Sequence, residues 1–253
     1  HVEAGLRSGD WRMPEEINRV LTDRISDLLL TPSRDAHANL AAEGIPADRV
    51  VFVGNVMIDT LLALRAKAQG LGVAGRLGLE RGKYAVATLH RPSNVDDPTA
   101  IRAVFGALDR IAGTLPVVLP LHPRTRKNAE ALGLTAELGR CRVLEPLGYL
   151  EMLSLTDGAA IVLTDSGGLQ EETTVLGVPC VTLREQTERP VTITDGTNRM
   201  APWPLTADGV FEAFEAGRTT SVNGRRPEGW DGRAAERVVG AFDGVGRVPG
   251  SIR

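Results

Sequence analysis

Ala159-Ala160-Ile161-Val162-Leu163-Thr164-Asp165-Ser166-Gly167-Gly168-Leu169-Gln170-Glu171-Glu172 is the stretch whose reading decides the fold. Its first five residues are apolar and partly β-branched, as a short buried strand requires. From Leu169 to Leu176 the pattern predicts a helix, stopped by Gly177 and Pro179. Between the two, Ser166-Gly167-Gly168 makes a tight turn. The order is therefore strand, turn, helix N-terminus. Such a turn leaves backbone N–H groups unpaired and directs partial positive charge outward, which suits a phosphate. Ser166 can cap the helix or donate to an oxygen, and Glu172 is close enough to accept from sugar hydroxyls. Taken alone, the stretch reads first as an ordinary βα turn with a serine cap and acidic residues near a helix start.

The same alternation runs outward in both directions. Pro14 before Glu15 and Glu16 marks a helix start, and Ile17, Val20, Leu21, Ile25, Leu28 and Leu29 follow at helical spacing. Strands are expected at 28–30, 50–53, 84–89, 116–121, 142–144 and 180–183. Helices are expected at 57–67, 98–111, 129–138 and 150–155, and in the tail at 208–216 and 233–242. The Gly-rich stretch from Gly70 to Gly82 is the candidate domain junction. Strand-helix alternation argues for an α/β fold with a parallel, doubly wound sheet. The polar residues His90, His122, Ser166 and Arg189, with Leu147-Gly148, fall at strand exits. In open α/β sheets the ligand crevice lies outside the carboxyl ends of the strands. Their convergence favours a binding site over a set of unrelated turns.

Composition narrows the ligand. The 253 residues are 42% hydrophobic and 24% charged, which is globular. A net charge of −3 and a pI of about 5.9 give no reason to expect a nucleic-acid partner. The run from Pro123 to Lys127 reads as a solvated face. Cys141 and Cys180 read as buried reduced thiols, and no metal site is expected. Tyr149 reads as core. No stretch reaches membrane-spanning length and no signal peptide is visible, so a cytoplasmic protein without a membrane partner is expected. The chain opens His1-Val2-Glu3 without an initiator Met, as a processed or truncated chain would. The one Gly-x-Gly-x-x-Gly spacing, Gly70 to Gly75, follows the expected helix 57–67 and not a strand, and there is no Walker Gly-Lys-Ser/Thr, which argues against a redox dinucleotide and an NTPase. A diphosphate on the Ser166 turn, flanked by His122 and Arg189, is the simplest ligand.

The ordered blocks His1-Val2-Glu3-Ala4-Gly5-Leu6-Arg7, Pro14-Glu15-Glu16-x-Asn18-Arg19, His90-Arg91-x-x-Asn94, His122-Pro123, Asp165-Ser166-Gly167-Gly168-x-Gln170-Glu171-Glu172 and Thr187-Glu188-Arg189-Pro190 span residues 1 to about 200. In order and spacing this resembles the non-hydrolysing UDP-N-acetylglucosamine 2-epimerases. The resemblance implies two Rossmann-like domains with parallel sheets, GT-B-like, holding a UDP-sugar in their cleft. Residues 1–69 would be the C-terminal part of a first domain whose front precedes His1. Residues 70–253 would be the second, UDP-binding domain with a helical tail. It implies a homodimer when intact, no cofactor, and inversion at C2 of UDP-GlcNAc to give UDP-ManNAc. The implied route eliminates UDP to a 2-acetamidoglucal and adds it back. That route needs carboxylates as acid and base near C2 and a dipole-rich cradle for the departing diphosphate.

Carried over by position, Glu3 and Glu15 match the family's catalytic carboxylates and His90 its catalytic histidine. Ser166, Gly167 and Gly168 match the phosphate-binding turn, Glu172 the ribose ligand and Arg189 a diphosphate-binding arginine. Leu147, through its backbone, and Met152 fall where the family holds uracil. Arg19 and His122 are further nucleotide-sugar candidates. The sequence departs from the family at Met152, where many members have Phe, at Val191, where many have Glu, and at Met200-Ala201-Pro202, where Leu-Val-Gly is common. Two other classes share parts of the pattern. A type B glycosyltransferase would use Glu172 and the Gly-Gly turn without needing both Glu3 and Glu15. A non-catalytic UDP-sugar binder would keep only the nucleotide contacts.

Overall fold

The computed structural model describes residues 1–219 and 226–245. Along the chain run α1 (Pro14–Ile25), β1 (Leu29–Thr31), α2 (Arg34–Ala42), β2 (Val50–Phe52), α3 (Val56–Gly70), α4 (Val73–Arg76), β3 (Ala85–Thr88), α5 (Pro92–Val95), α6 (Pro98–Ala112), β4 (Val117–Pro120), α7 (Pro123–Ala131), β5 (Arg142–Leu144), α8 (Tyr149–Gly158), β6 (Ile161–Thr164), α9 (Gly167–Leu176), β7 (Cys180–Thr182), α10 (Val191–Thr194), β8 (Asn198–Met200), α11 (Ala207–Thr219) and α12 (Ala234–Val245). They fall into two compact units. Among the described residues, one comprises 1–63, 188–191 and 226–245; the other comprises 64–187 and 192–219. The division in the first half of the chain falls inside α3. The Gly-rich stretch after it lies within the second unit and carries α4, with Val73 buried.

The second unit is built on six parallel strands in the order β5-β4-β3-β6-β7-β8. Both faces are covered, which is why its central strands β3, β4 and β6 are apolar on both sides. Along β3, β4 and β6, Ala85, Ala87, Val117, Leu119, Ile161 and Leu163 enter one core with residues of α6 and α11. The alternate residues Val86, Val118 and Val162 enter another with Val73 and Leu155. Strand order reverses between β3 and β6, the neighbours from which the sheet is wound outward in both directions. That reversal is the topological switch point where doubly wound sheets bind ligands. Cys141 and Cys180 are buried and free; burial pushes the first thiol up to about 11 and the second to about 12.

In the first unit β1 and β2 pair in parallel, Leu29 opposite Val50, and Val2 bridges Leu30 on the other side of β1. Ala4, Leu29, Leu40, Ile45 and Val50 form its core. The segment from Arg226 packs here, not with the six-stranded sheet. The Trp230 indole, 2% exposed, donates to the Pro32 carbonyl at 3.0 Å. The Asp59 carboxylate accepts from the Ala234 and Ala235 N–H groups at the start of α12. Each anchor is a contact across more than 170 residues, invisible to local pattern.

Two helices depart from the sequence pattern. The expected helix 129–138 instead starts at Pro123, because Pro suits a first turn and His122 caps it. On α1 the apolar stripe Ile17, Leu21 and Ile25 is exposed, and the buried residues are Glu16 and Asp23. The strand β8 and short helix α10 were not evident in the pattern, since Asn198-Arg199-Met200 carries no apolar alternation. No helix among the described residues is long and apolar enough to cross a membrane.

Candidate functional site

The edge of the six-stranded sheet at the β3–β6 switch point is organised by one buried carboxylate, Asp165, which is 0% exposed. It follows β6 directly and accepts the N–H groups of His90 (3.1 Å) and Arg91 (2.9 Å) at the exit of β3. Asn94 Nδ2 reaches it at 3.2 Å and also donates to the Leu183 carbonyl beyond β7 at 2.7 Å. His90 Nδ1 lies 2.9 Å from Asp165 Oδ1, and the ring is partly open to solvent. One level below, the hydroxyls of Thr88 and Thr164 bond at 2.7 Å, and Thr164 Oγ1 accepts the Ser166 N–H at 2.9 Å. Three strand exits are thus tied together around His90.

The Ser166 turn opens α9. The Ser166 hydroxyl makes no capping bond, so the first amides of α9 keep their capacity for an external acceptor. A Cβ built on Gly168 would meet only Ser166 Oγ, at 4.0 Å. The fold therefore leaves open space beside this glycine, and packing does not require its lack of a side chain. Beneath the turn Gln170, 0% exposed, donates to the Ser166 carbonyl and accepts from Thr187 and Asn198. Asn198 in turn bonds Thr182 and Thr192. This network holds the turn against β7 and β8.

In the second turn of α9, Glu172 is 7% exposed. Burial pushes its carboxyl up to about 7, and the nearby Glu171 adds to this, while a hydrogen bond from Tyr149 opposes it. Tyr149 is not core: it opens α8, is 40% exposed, and spends its hydroxyl on Glu172. Leu147 and Met152 are half-buried against the same apolar cluster, at the exit of β5 and in the first turn of α8. His122, exposed at the exit of β4, turns its Nδ1 inward to accept the Arg124 N–H and cap α7. Its expected ligand contact is left to Nε2.

The remaining candidates belong to the first unit. Glu3 is half-buried and has φ +67°, the only positive φ at a non-glycine among the described residues. Glu15 is exposed in the first turn of α1. Arg19 binds Glu16 Oε2 at 2.8 Å, and the Glu16 carboxylate also accepts the Ser8 and Gly9 N–H groups. Arg189 lies 2.5 Å from the buried Glu188. Thus His90, His122, Leu147, Met152, the Ser166 turn and Glu172 share one unit and one sheet edge, while Glu3, Glu15, Arg19 and Arg189 share the other unit.

The candidate ligand residues are named by the sequence, whereas the buried polar groups that brace their surroundings, Asp165, Gln170, Glu16 and Asp23, are not. A polar residue immediately after a buried strand was the available signal for Asp165. Its partner became known only once β3 and β6 were seen side by side. No cluster of three or more potential metal ligands occurs among the described residues.

Comparison with known proteins bears on what this geometry serves. The family profile described as UDP-N-acetylglucosamine 2-epimerase matches residues 1–243. A UDP-2,3-diacetamido-2,3-dideoxy-D-glucuronate 2-epimerase of Pseudomonas aeruginosa is 43% identical over 245 residues, covering 94% of this chain and 66% of its own length. A UDP-N-acetylglucosamine 2-epimerase of Methanococcus maripaludis is 41% identical, covering 79% of this chain and 57% of its own. The crystal structure of Methanocaldococcus jannaschii UDP-GlcNAc 2-epimerase in complex with UDP-GlcNAc and UDP superimposes with a TM-score of 0.87 at 37% identity, over 96% of this chain and 68% of that one. The chain thus spans about two thirds or less of the length of these curated relatives. A parallel α/β architecture wound about the β3–β6 switch point, and a family match over nearly every residue, lead to one conclusion: the chain belongs to the UDP-N-acetylglucosamine 2-epimerase family.

Proposed function

We propose that the protein acts on a UDP-linked 2-acetamido sugar as a 2-epimerase, interconverting UDP-GlcNAc and UDP-ManNAc through elimination and re-addition of UDP. The observation that carries this reading is the meeting of His90 and the bare Ser166–Gly168 turn at the switch point, in a chain of this family. In this reading the α9 amides hold the diphosphate, Glu172 the ribose, and Leu147 and Met152 the base. His90 and Arg189 stabilise the charge that develops as the glycosidic bond breaks. Glu3 and Glu15 move the C2 proton. Arg19 and His122 are secondary contacts to the nucleotide sugar. The same reading takes the unit that opens the chain, rejoined by residues 226–245, as the end of a first Rossmann-like domain and the six-stranded unit as the second, UDP-binding domain, in a cytoplasmic homodimer.

The 43% identity to an enzyme named for a 2,3-diacetamido glucuronate supports a second substrate reading, in which the sugar carries a carboxylate and a second acetamido group. Both UDP-sugars should be incubated with the protein in D₂O. Deuterium is expected at C2 of the true substrate, and Glu15→Gln is expected to abolish exchange while UDP still binds by calorimetry. Full exchange by Glu15→Gln would remove that residue from the acid/base step. UDP binding with no exchange from either sugar would favour a non-catalytic binder. Sugar transfer to an acceptor without exchange at C2 would favour a glycosyltransferase.

A further inference from the structure

Glu3 stands in a conformation its side chain disfavours, and the structure shows what keeps it there. In the left-handed region the Cβ of an L-residue crowds its own carbonyl, so a glutamate persists at φ +67° only where its surroundings over-determine it. Backbone bonds to β1 supply one grip. The Leu30 N–H donates to the His1 carbonyl at 2.9 Å and the Ala4 N–H donates to the Leu30 carbonyl at 3.1 Å, so the chain is tethered on both sides of residue 3.

The second grip is a side chain. Asp23 projects from α1 and is 0% exposed. Its Oδ1 lies 2.6 Å from His1 Nδ1 and its Oδ2 accepts the Gly5 N–H at 3.0 Å. One carboxylate thus spans the arch from residue 1 to residue 5. Asp23 is held in turn by Arg7 Nη2 at 2.7 Å, and Arg7 is fixed by Glu43 at 2.6 Å. The arch has no slack on its far side, because Gly5 has φ +82° and a Cβ there would sit 2.3 Å from the Ala36 carbonyl oxygen. Glycine would take the position of Glu3 without strain, so a glutamate there is a side chain retained against its backbone preference.

We infer that Asp23 is a positioning residue: by bridging His1 and Gly5 it holds Glu3 left-handed and fixes the direction in which that carboxylate is presented. The inference rests on the reading of Glu3 as a proton-transfer group, and misdirecting such a group is costly even when nothing that touches substrate is lost.

The test compares wild-type protein with Asp23→Asn, which keeps the size of the side chain and removes its charge, and with Asp23→Ala. The φ of residue 3 is read by NMR from backbone couplings and Cα shifts, and C2 deuterium exchange of UDP-GlcNAc is measured beside it. In wild type, residue 3 is expected in the left-handed region. In Asp23→Asn it is expected to leave that region, kcat for exchange to fall about 10–100-fold, and KM to stay within about twofold. A left-handed residue 3 in a folded Asp23 variant would overturn the inference, as would an unchanged kcat in an active one. If both variants unfold, Asp23→Asn combined with Glu3→Gly decides the matter. Glycine should need no holding, so the combination is expected to fold, and its failure to fold would assign Asp23 to general stability instead. Absence of exchange in wild type would count against the epimerase reading alone, because the φ measurement needs no turnover.

Discussion

Single residues show where the molecule departs from what folding alone would choose. Glu172 is a nearly buried carboxylate whose pKa is raised to about 7, chiefly by desolvation. An acid whose folded pKa exceeds its unfolded value stabilises the native state at low pH. That contribution is complete below about 4.5 and lost as pH rises through about 7. We predict that Glu172→Gln removes this loss and is more stable than wild type at pH 8 by about 1–3 kcal/mol, with the advantage vanishing at pH 4 in urea titrations. The same change is predicted to weaken UDP by about 1.5–3 kcal/mol, the value of a hydrogen bond to a charged group. Gly168 makes the complementary case. Its Cβ space is open, so Gly168→Ala should leave the melting temperature unchanged or slightly higher while weakening UDP at least tenfold by calorimetry. Glu3→Gly relieves the left-handed strain and should add about 1 kcal/mol of stability while abolishing C2 exchange. Residue types at these positions were legible in the sequence. The burial of Glu172, the partner of Tyr149 and the φ of Glu3 were not, because each depends on what surrounds the residue.

Elements were read well where periodicity reports burial and poorly where it does not. The central strands β3, β4 and β6 carry apolar side chains on both faces, so short apolar runs located them. The helix expected at 129–138 begins earlier, at α7, because His122, a ligand candidate, also caps it and Pro123 opens it. The stripe on α1 follows the helical period without being buried. Between elements, buried polar groups do the joining. Asp157, from α8, accepts from Arg65 and Gln69 of α3 and from Arg81. Burial alone would push its carboxyl up, but these donors outweigh it and hold it below the usual range. The stability it supplies is therefore present above about pH 4 and is lost as pH falls through its folded value. Asp157→Asn is predicted to cost about 1.5–3 kcal/mol at pH 7 and little at pH 3, checked by denaturation at both.

At the scale of the whole molecule, sequence distance ceases to be a guide. Segment 226–245 joins the unit that opens the chain, through Trp230 on Pro32 and Asp59 on α12. Trp230→Ala is predicted to cost about 3–5 kcal/mol. Truncation after Thr219 should raise hydrogen exchange in β1, β2 and α2 far more than in β3 and β6, measured by mass spectrometry on peptides of each unit.

The sequence by itself determined the parallel α/β class, the strand-turn-helix corner at Ser166, the family, and the identities of the candidate ligand and proton-transfer groups. These follow from local pattern and from motifs contiguous in the chain. Only the tertiary structure decided that β3 neighbours β6, that Asp165 gathers His90, Arg91 and Asn94, that Gln170 and Asn198 brace the turn, and that Asp23 spans Glu3. Strand order and buried hydrogen bonds are set by which distant segments share a core, and free energy of that kind leaves no periodic trace along the chain.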